Sequence, residues 1–191
     1  MQPPLHQTIE DFFRRFQVSV PKPVCAWDPE WPSPCETFDP FTQDDSRLIH
    51  WQPLPRAHSD DDFAGLERAI ERTIHADIKT YYGAFWSNNI NVISPDGRCS
   101  LLFLWSPRDR DRLIENLVGH AFACKVNKTP FSVFFACTED PDDYYLTVNN
   151  DTGVVQLEAP AQQPIREVAP SLAEFLISLS MPEGDTVPTQ R

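Results

Sequence analysis

Two turns dictate what this 191-residue chain can fold into. Pro95, Asp96 and Gly97 separate the strand-like residues 91–94 and 98–105. Proline presets φ, aspartate bonds its own backbone, and glycine tolerates positive φ, so the trio predicts a tight reversal. Asn149, Asn150, Asp151, Thr152 and Gly153 play the same part between residues 144–148 and 154–157. Hairpins of this kind make the sheet mostly antiparallel. Residues 131–138 are a continuous apolar run, which predicts a central strand.

Helical periodicity accounts for most of the rest. Leu5, Ile9, Phe12, Phe13 and Phe16 predict an amphipathic helix over residues 4–17. Ser59 followed by Asp60, Asp61 and Asp62 is a helix start, with carboxylates at the positive end of the helix dipole. Phe63, Leu66, Ile70, Ile74 and Ile78 are its expected buried stripe, and Glu67, Arg68, Glu71 and Arg72 its outer face. Ser106 and Pro107 open a third helix, with Asp109 in its first turn and Leu113, Leu117, His120 and Ala121 facing inward. Leu172, Phe175, Leu176 and Leu179 form a last one. Six prolines in residues 21–45 exclude regular helix and central strand there, leaving a long ordered loop or edge structure. The expectation is one α+β domain over residues 1–181, with a mostly antiparallel central sheet of about five or six strands packed with helices. Residues 182–191 read as a flexible tail.

A hydrophobic content of 41% and five tryptophans support one substantial core. No apolar run approaches the ~20 residues of a membrane helix, and the N-terminus lacks the pattern of a secretory signal. A cytoplasmic chain is expected, with its five cysteines reduced.

The net charge of −12 is unevenly placed. Residues 28–62 carry nine carboxylates against Arg47 and Arg56, a local net of −7, and residues 139–158 carry six and no base. The remainder is close to neutral. Such segregation suggests one face built to attract cations or a basic partner and argues against nucleic acid. Two such stretches in a small folded domain suggest a shared surface.

The search for chemistry excludes more than it finds. Neither GxGxxG nor GxxxxGK nor GxSxG occurs, and no histidine spacing suits zinc. The run Glu139, Asp140, Pro141, Asp142, Asp143 does not fit a calcium-binding loop. Cys35 lies in an acidic setting that should raise its pKa and disfavour a nucleophilic role. His75 and His120 read as structural residues on amphipathic helices. No catalytic residue, metal, cofactor or small-molecule substrate is expected.

Several motifs in order then resemble the Syd family of SecY-interacting proteins. They are Trp31 with Pro32-Ser33-Pro34-Cys35, Trp51-Gln52-Pro53, Glu67-Arg68-Ala69 with Thr73-Ile74-His75, Glu115 to His120 through Gly119, Phe134 to Thr138 with its acidic continuation, and Leu172 to Leu176. The resemblance spans about residues 5–180. It implies a non-enzymatic protein, peripheral on the cytoplasmic side of the cell inner membrane, that binds the basic cytosolic loops of the SecY translocon channel through an acidic concave face, a single groove that residues 28–62 and 139–158 are then expected to border. It implies a role in sensing or restraining SecY that is unassembled or in excess. Its membrane association would be indirect, because an acidic protein is repelled by anionic lipid. The expected acidic face comprises Asp60, Asp61, Asp62, Glu67, Glu71, Asp109, Glu115, Glu139, Asp140, Asp142 and Asp143. Trp31, Pro34, Cys35, Trp51, Pro53, His75, Gly119 and His120 are the expected structural motif. Replacing Asp60, Asp61 and Asp62 by lysine is expected to weaken binding and leave the fold intact. The same acidic face would also suit a toxin-immunity module that neutralises a basic toxin, and a metal-dependent hydrolase using the aspartates is a distant third reading.

Overall fold

The computed structural model of the chain describes residues 3–43, 46–56, 60–139, 144–160 and 162–182, the side chains of Asp60 and Asp61 excepted. Helix α1 (Leu5–Ser19) is followed by three short strands, β1 (Val24–Ala26), β2 (Phe41–Gln43) and β3 (Ser46–His50). They make a small antiparallel sheet in the order β1-β3-β2. β4 (Leu54–Pro55) pairs with β5 (Phe85–Trp86) across a 3-10 turn (Asp60–Phe63), α2 (Ala64–Ile70) and α3 (Ala76–Ala84). The main sheet follows: β6 (Ile90–Ser94), β7 (Gly97–Leu101), then α4 (Pro107–Asn127), β8 (Ser132–Thr138), β9 (Tyr145–Asn149), β10 (Val155–Glu158) and β11 (Arg166–Ala169), closed by α5 (Leu172–Ser178). Its order is β11-β10-β9-β8-β7-β6 and every neighbouring pair is antiparallel. The α+β class and the interior place of β8 are as the sequence predicts.

Both turns form where their residues require. Ser94 pairs with Gly97 around Pro95 and Asp96, and Gly97 has φ +135°. Gly153, at φ +75°, lies under the His75 ring; an added Cβ would meet that ring at 2.7 Å. Only glycine fits there, for both reasons.

The sheet has two unlike faces. One carries Val133, Phe135, Leu146, Val148 and Val155, all buried. Phe135 packs edge-on to Tyr81 of α3 and Phe175 of α5, while Phe12 and Phe13 of α1 meet Phe103. Each such aromatic, fully buried, stabilises by ~1.5–3 kcal/mol. Arg15 of α1 donates to the carbonyls of Leu176 and Leu179, satisfying the end of α5. The other face is more polar: Ser132 and Thr147 donate to the buried Glu158 carboxylate at 3.0 and 2.8 Å. Helix α4 lies on this side, turning buried Leu113, Leu117 and Cys124 inward.

The sheet curls strongly. Asp96, between β6 and β7, pairs with Arg166 of β11 at 2.9 Å, although those strands form opposite edges. Ile93 of β6 exchanges two backbone bonds of 2.9 Å with Ser180 beyond α5.

Three expectations need correction. The helix expected from Asp60 onward is broken: α2 stops at Ile70, Glu71 takes a left-handed conformation (φ +53°), and α3 starts at Ala76. The strand expected over residues 98–105 ends at Leu101, after which Leu104 bridges Trp86 instead. His75 is not on a helical face; it caps α3, its Nδ1 accepting from the Asp77 amide at 3.2 Å. The expected tail, beyond Pro182, and the expected Ser59 cap lie outside the described residues.

Candidate functional site

The proline-rich segment is fastened to the start of α4 by aromatic and polar contacts. Trp31 Nε1 donates to both Asp109 oxygens at 3.0 and 3.2 Å, and Trp105 Nε1 donates to the Trp31 carbonyl at 3.2 Å. Ser106 Oγ donates to Asp109 at 2.9 Å. The guanidiniums of Arg108 and Arg112 lie over the Trp31 ring at 4.0 and 5.1 Å, a cation–π arrangement. Trp51 stacks on Phe16 and meets Trp105 edge-on. Cys35 and Pro53 are buried and Pro34 is exposed. The proline motif thus sets the position of Trp31, and Trp31 sets that of Asp109.

A groove follows one flank of α4. Its first cavity, about 440 Å³, is lined by Asp28, Trp31, Asn88, Asn89, Asp109, Arg112, Leu113, Asn116 and Phe134 among others. The next, about 410 Å³, shares Phe134 and is lined by His120, Cys137, Thr138, Tyr144 and Tyr145. Thr138 and Tyr144 flank the acidic connection between β8 and β9, so the groove runs from Asp28 and Asp109 to the two ends of that connection. Asn88 is 4% exposed, and its side-chain oxygen accepts from the Asn89 amide at 2.8 Å. Its Nδ2 has no partner. An unpaired buried donor costs about 1–3 kcal/mol, which makes it a natural place for an incoming acceptor.

The carboxylates expected on the acidic face have different fates. Asp62 is internal: its side chain is 8% exposed, paired with Arg56 at 2.6 Å and Arg110 at 3.6 Å. Glu67 pairs with Lys79 at 2.5 Å and accepts from the Ile74 amide at 2.9 Å. The Lys79 hydrogen bond, then the Ile74 amide, hold its carboxyl below the usual range. Glu71 sits at the helix break, exposed, on the opposite flank of α4. Asp109 lines the groove but is already bonded to Trp31 and Ser106. Glu115 and Glu139 are exposed. Asp140, Asp142 and Asp143, and the side chains of Asp60 and Asp61, lie outside the described residues. The expectation that residues 60–62 can be reversed to lysine with the fold intact is corrected: Asp62 holds a buried ion pair.

Burial shifts His120 of the groove and Cys35 of the proline motif in opposite directions. His120 is held below its ordinary pKa, chiefly by burial, with Glu158 opposing. Cys35, 1% exposed, is pushed up to about 11, and the largest cause is burial, with neighbouring acid a minor one. Among the described residues, no group of three or more His, Cys, Asp or Glu side chains could hold a metal ion. No described helix is long and apolar enough to cross a membrane.

Sequence reasoning missed Asn88, Asn89, Arg112, Asn116 and Tyr145. The adjacent asparagines after an apolar run are a turn signature that could have marked the first two; the others carry no local signal.

Known proteins resemble this chain along most of its length. The family model described as "Syd protein (SUKH-2)" matches residues 3–181. A "Protein Syd" of Pseudoalteromonas atlantica is 36% identical over 90% of this chain and 93% of its own length. That of Alteromonas mediterranea is 39% identical over 81% of this chain and 83% of its own. That of Hahella chejuensis is 37% identical over 77% and 73%.

Proposed function

The chain belongs to the Syd family, and on that premise we propose that it is a non-enzymatic SecY-binding protein. The basic cytosolic loops of the channel lie along the α4 groove. By occupying them, the protein senses or restrains SecY that is unassembled or in excess. It works from the cytoplasmic side of the inner membrane and reaches the membrane chiefly through SecY.

The observation that carries this reading is the course of the groove. It begins at Asp28 and Asp109 and ends at Thr138 and Tyr144, the stems of the connection bearing Glu139, Asp140, Asp142 and Asp143. Cytosolic loops of membrane proteins are rich in Lys and Arg. Carboxylates at both ends of a groove steer such a loop and fix its direction. Between them the floor offers Trp31, Phe134 and Tyr145 to aliphatic stems, and Asn88 Nδ2 to a main-chain carbonyl. Arg108 and Arg112 keep their charge over Trp31 and offset Asp28 and Asp109, so the stronger attraction for a basic loop lies at the β8–β9 end.

Purified protein should bind proteoliposomes containing SecY, and affinity should fall about tenfold between low and high salt, because exposed charges are screened beyond about 8 Å at physiological ionic strength. Absence of capture overturns the choice of partner. Capture with a flat salt response overturns the electrostatic groove and points to apolar contact instead.

A further inference from the structure

The opposite flank of α4 carries a different surface. Val118, Phe122 and Val126 recur at four-residue spacing and are 38%, 69% and 66% exposed. They make one stripe along the helix. Three of the eight exposed large hydrophobics among the described residues fall on it, so it is a patch and not scatter. The stripe borders a cleft of about 520 Å³ between α4 and α2, lined by Ala69, Ile70, Ala121 and Phe131.

Its charge is also exceptional. Residues 116–138 contain no Asp or Glu, yet they hold Lys125 and Lys128 in a chain of net −12. Lys125 lines the cleft, and among the described residues no carboxylate pairs with either lysine. Gln163 donates to the Lys128 carbonyl at 3.3 Å, which brings the uncharged residues 162–165, with exposed Ile165, to the same end of the helix. Glu71 is the one acid lining the cleft, beside Arg72, which is paired with Asp151. Glu115, the nearest acid before the stripe, lies about 4.5 Å along the axis from Val118 and about 15 Å from Lys125 at 1.5 Å per residue, so the lysine end of the stripe is the end remote from acid. Exposed apolar side chains flanked by lysines match the interface of an anionic bilayer, where apolar groups enter the headgroup boundary and cations meet phosphates. The net charge of −12 opposes both a second copy and an anionic bilayer at long range, and the two unpaired lysines beside the stripe favour the bilayer locally.

We propose that the Val118–Phe122–Val126 stripe, with Lys125 and Lys128, is a lipid-contact surface that rests on an anionic phospholipid bilayer. One helix then presents two flanks, a groove for a protein loop and a foot for the membrane from which such a loop emerges. A single contact of this size binds weakly and reversibly; combined with the groove it adds avidity.

The test uses the full chain and protein-free vesicles, so its result is independent of SecY. Vesicles of equal parts phosphatidylglycerol and phosphatidylcholine should co-sediment the protein several-fold more than phosphatidylcholine alone. Phe122→Asp and the pair Lys125→Glu/Lys128→Glu should each lower that binding about tenfold. All three positions are exposed, so circular dichroism should be unchanged. The proposal fails if the wild-type chain ignores anionic vesicles, or if Phe122→Asp binds as well as wild type. It also fails if the stripe proves to hold two copies together, seen as a wild-type dimer that Phe122→Asp converts to monomer without any lipid binding.

Discussion

Asp62→Ala should cost about 3–5 kcal/mol of stability, the usual price of leaving a buried charge without its partner. Arg56 is built into the interior from several sides. Its side chain is 7% exposed, donating to Asp62 and to the Tyr82 carbonyl at 2.6 Å each, and lying over the Trp86 ring at 3.9 Å. Its backbone amide also bonds Ala84. The pair therefore ties the segment after β4 to the end of α3, and Asp62 adds Arg110 of α4 at 3.6 Å. In urea the midpoint should fall by about 1.5–2.5 M, taking a slope near 2 kcal/mol per M. The double change Arg56→Met/Asp62→Leu should recover most of that loss, because it removes both charges together. A shift below about 0.5 M for Asp62→Ala would show that the pair is solvated and not internal. Given the large loss expected for this buried pair, loss of partner binding on reversing residues 60–62 would be a consequence of unfolding, not evidence about a groove.

The charge reversal that reads the groove itself is Asp140→Lys/Asp142→Lys/Asp143→Lys. Under the proposed function it should weaken SecY binding about ten- to a hundredfold, since three attractions of a few tenths to 1 kcal/mol each become repulsions. Most of the effect should lie in the association rate and should shrink at high salt. Circular dichroism and the urea midpoint should stay near wild type. An unchanged affinity in an intact fold would remove the connection between β8 and β9 from the interface. The basic loops would then have to be sought along Asp28 and Asp109 alone.

How much of this was readable from the chain depends on the range of the interaction. Helix α1, the hairpins and β8 follow from local periodicity and turn chemistry. The break at Glu71 does not, because Ile70, Ile74 and Ile78 keep four-residue spacing across it. The stripe looks continuous while the backbone passes through a left-handed residue and restarts under the His75 cap. The small sheet is hidden for another reason: strands of three to five residues among prolines are too short to display alternation. The site shows the same division. Segregation of acid is visible in composition, but which acids are consumed internally is not. Asp109 is bound to Trp31, seventy-eight residues away in sequence. Asp62 is bound to an arginine that only the turn before α2 brings back. Counting carboxylates marks a region, and only the pairing separates those that hold the fold from those free to meet a partner.

The double bond between Ile93 and Ser180 has a consequence for solubility. β6 is an edge strand, and an open edge is a template on which a second chain can add a strand. Here the residues beyond α5 occupy the outward amide and carbonyl of Ile93. At the far edge, the Asp96–Arg166 pair draws β11 toward the β6–β7 turn. A chain ending before Ser180 would keep its hydrophobic core and lose this guard. Its defect would be aggregation through β6, a strand interior to nothing, and not loss of the fold.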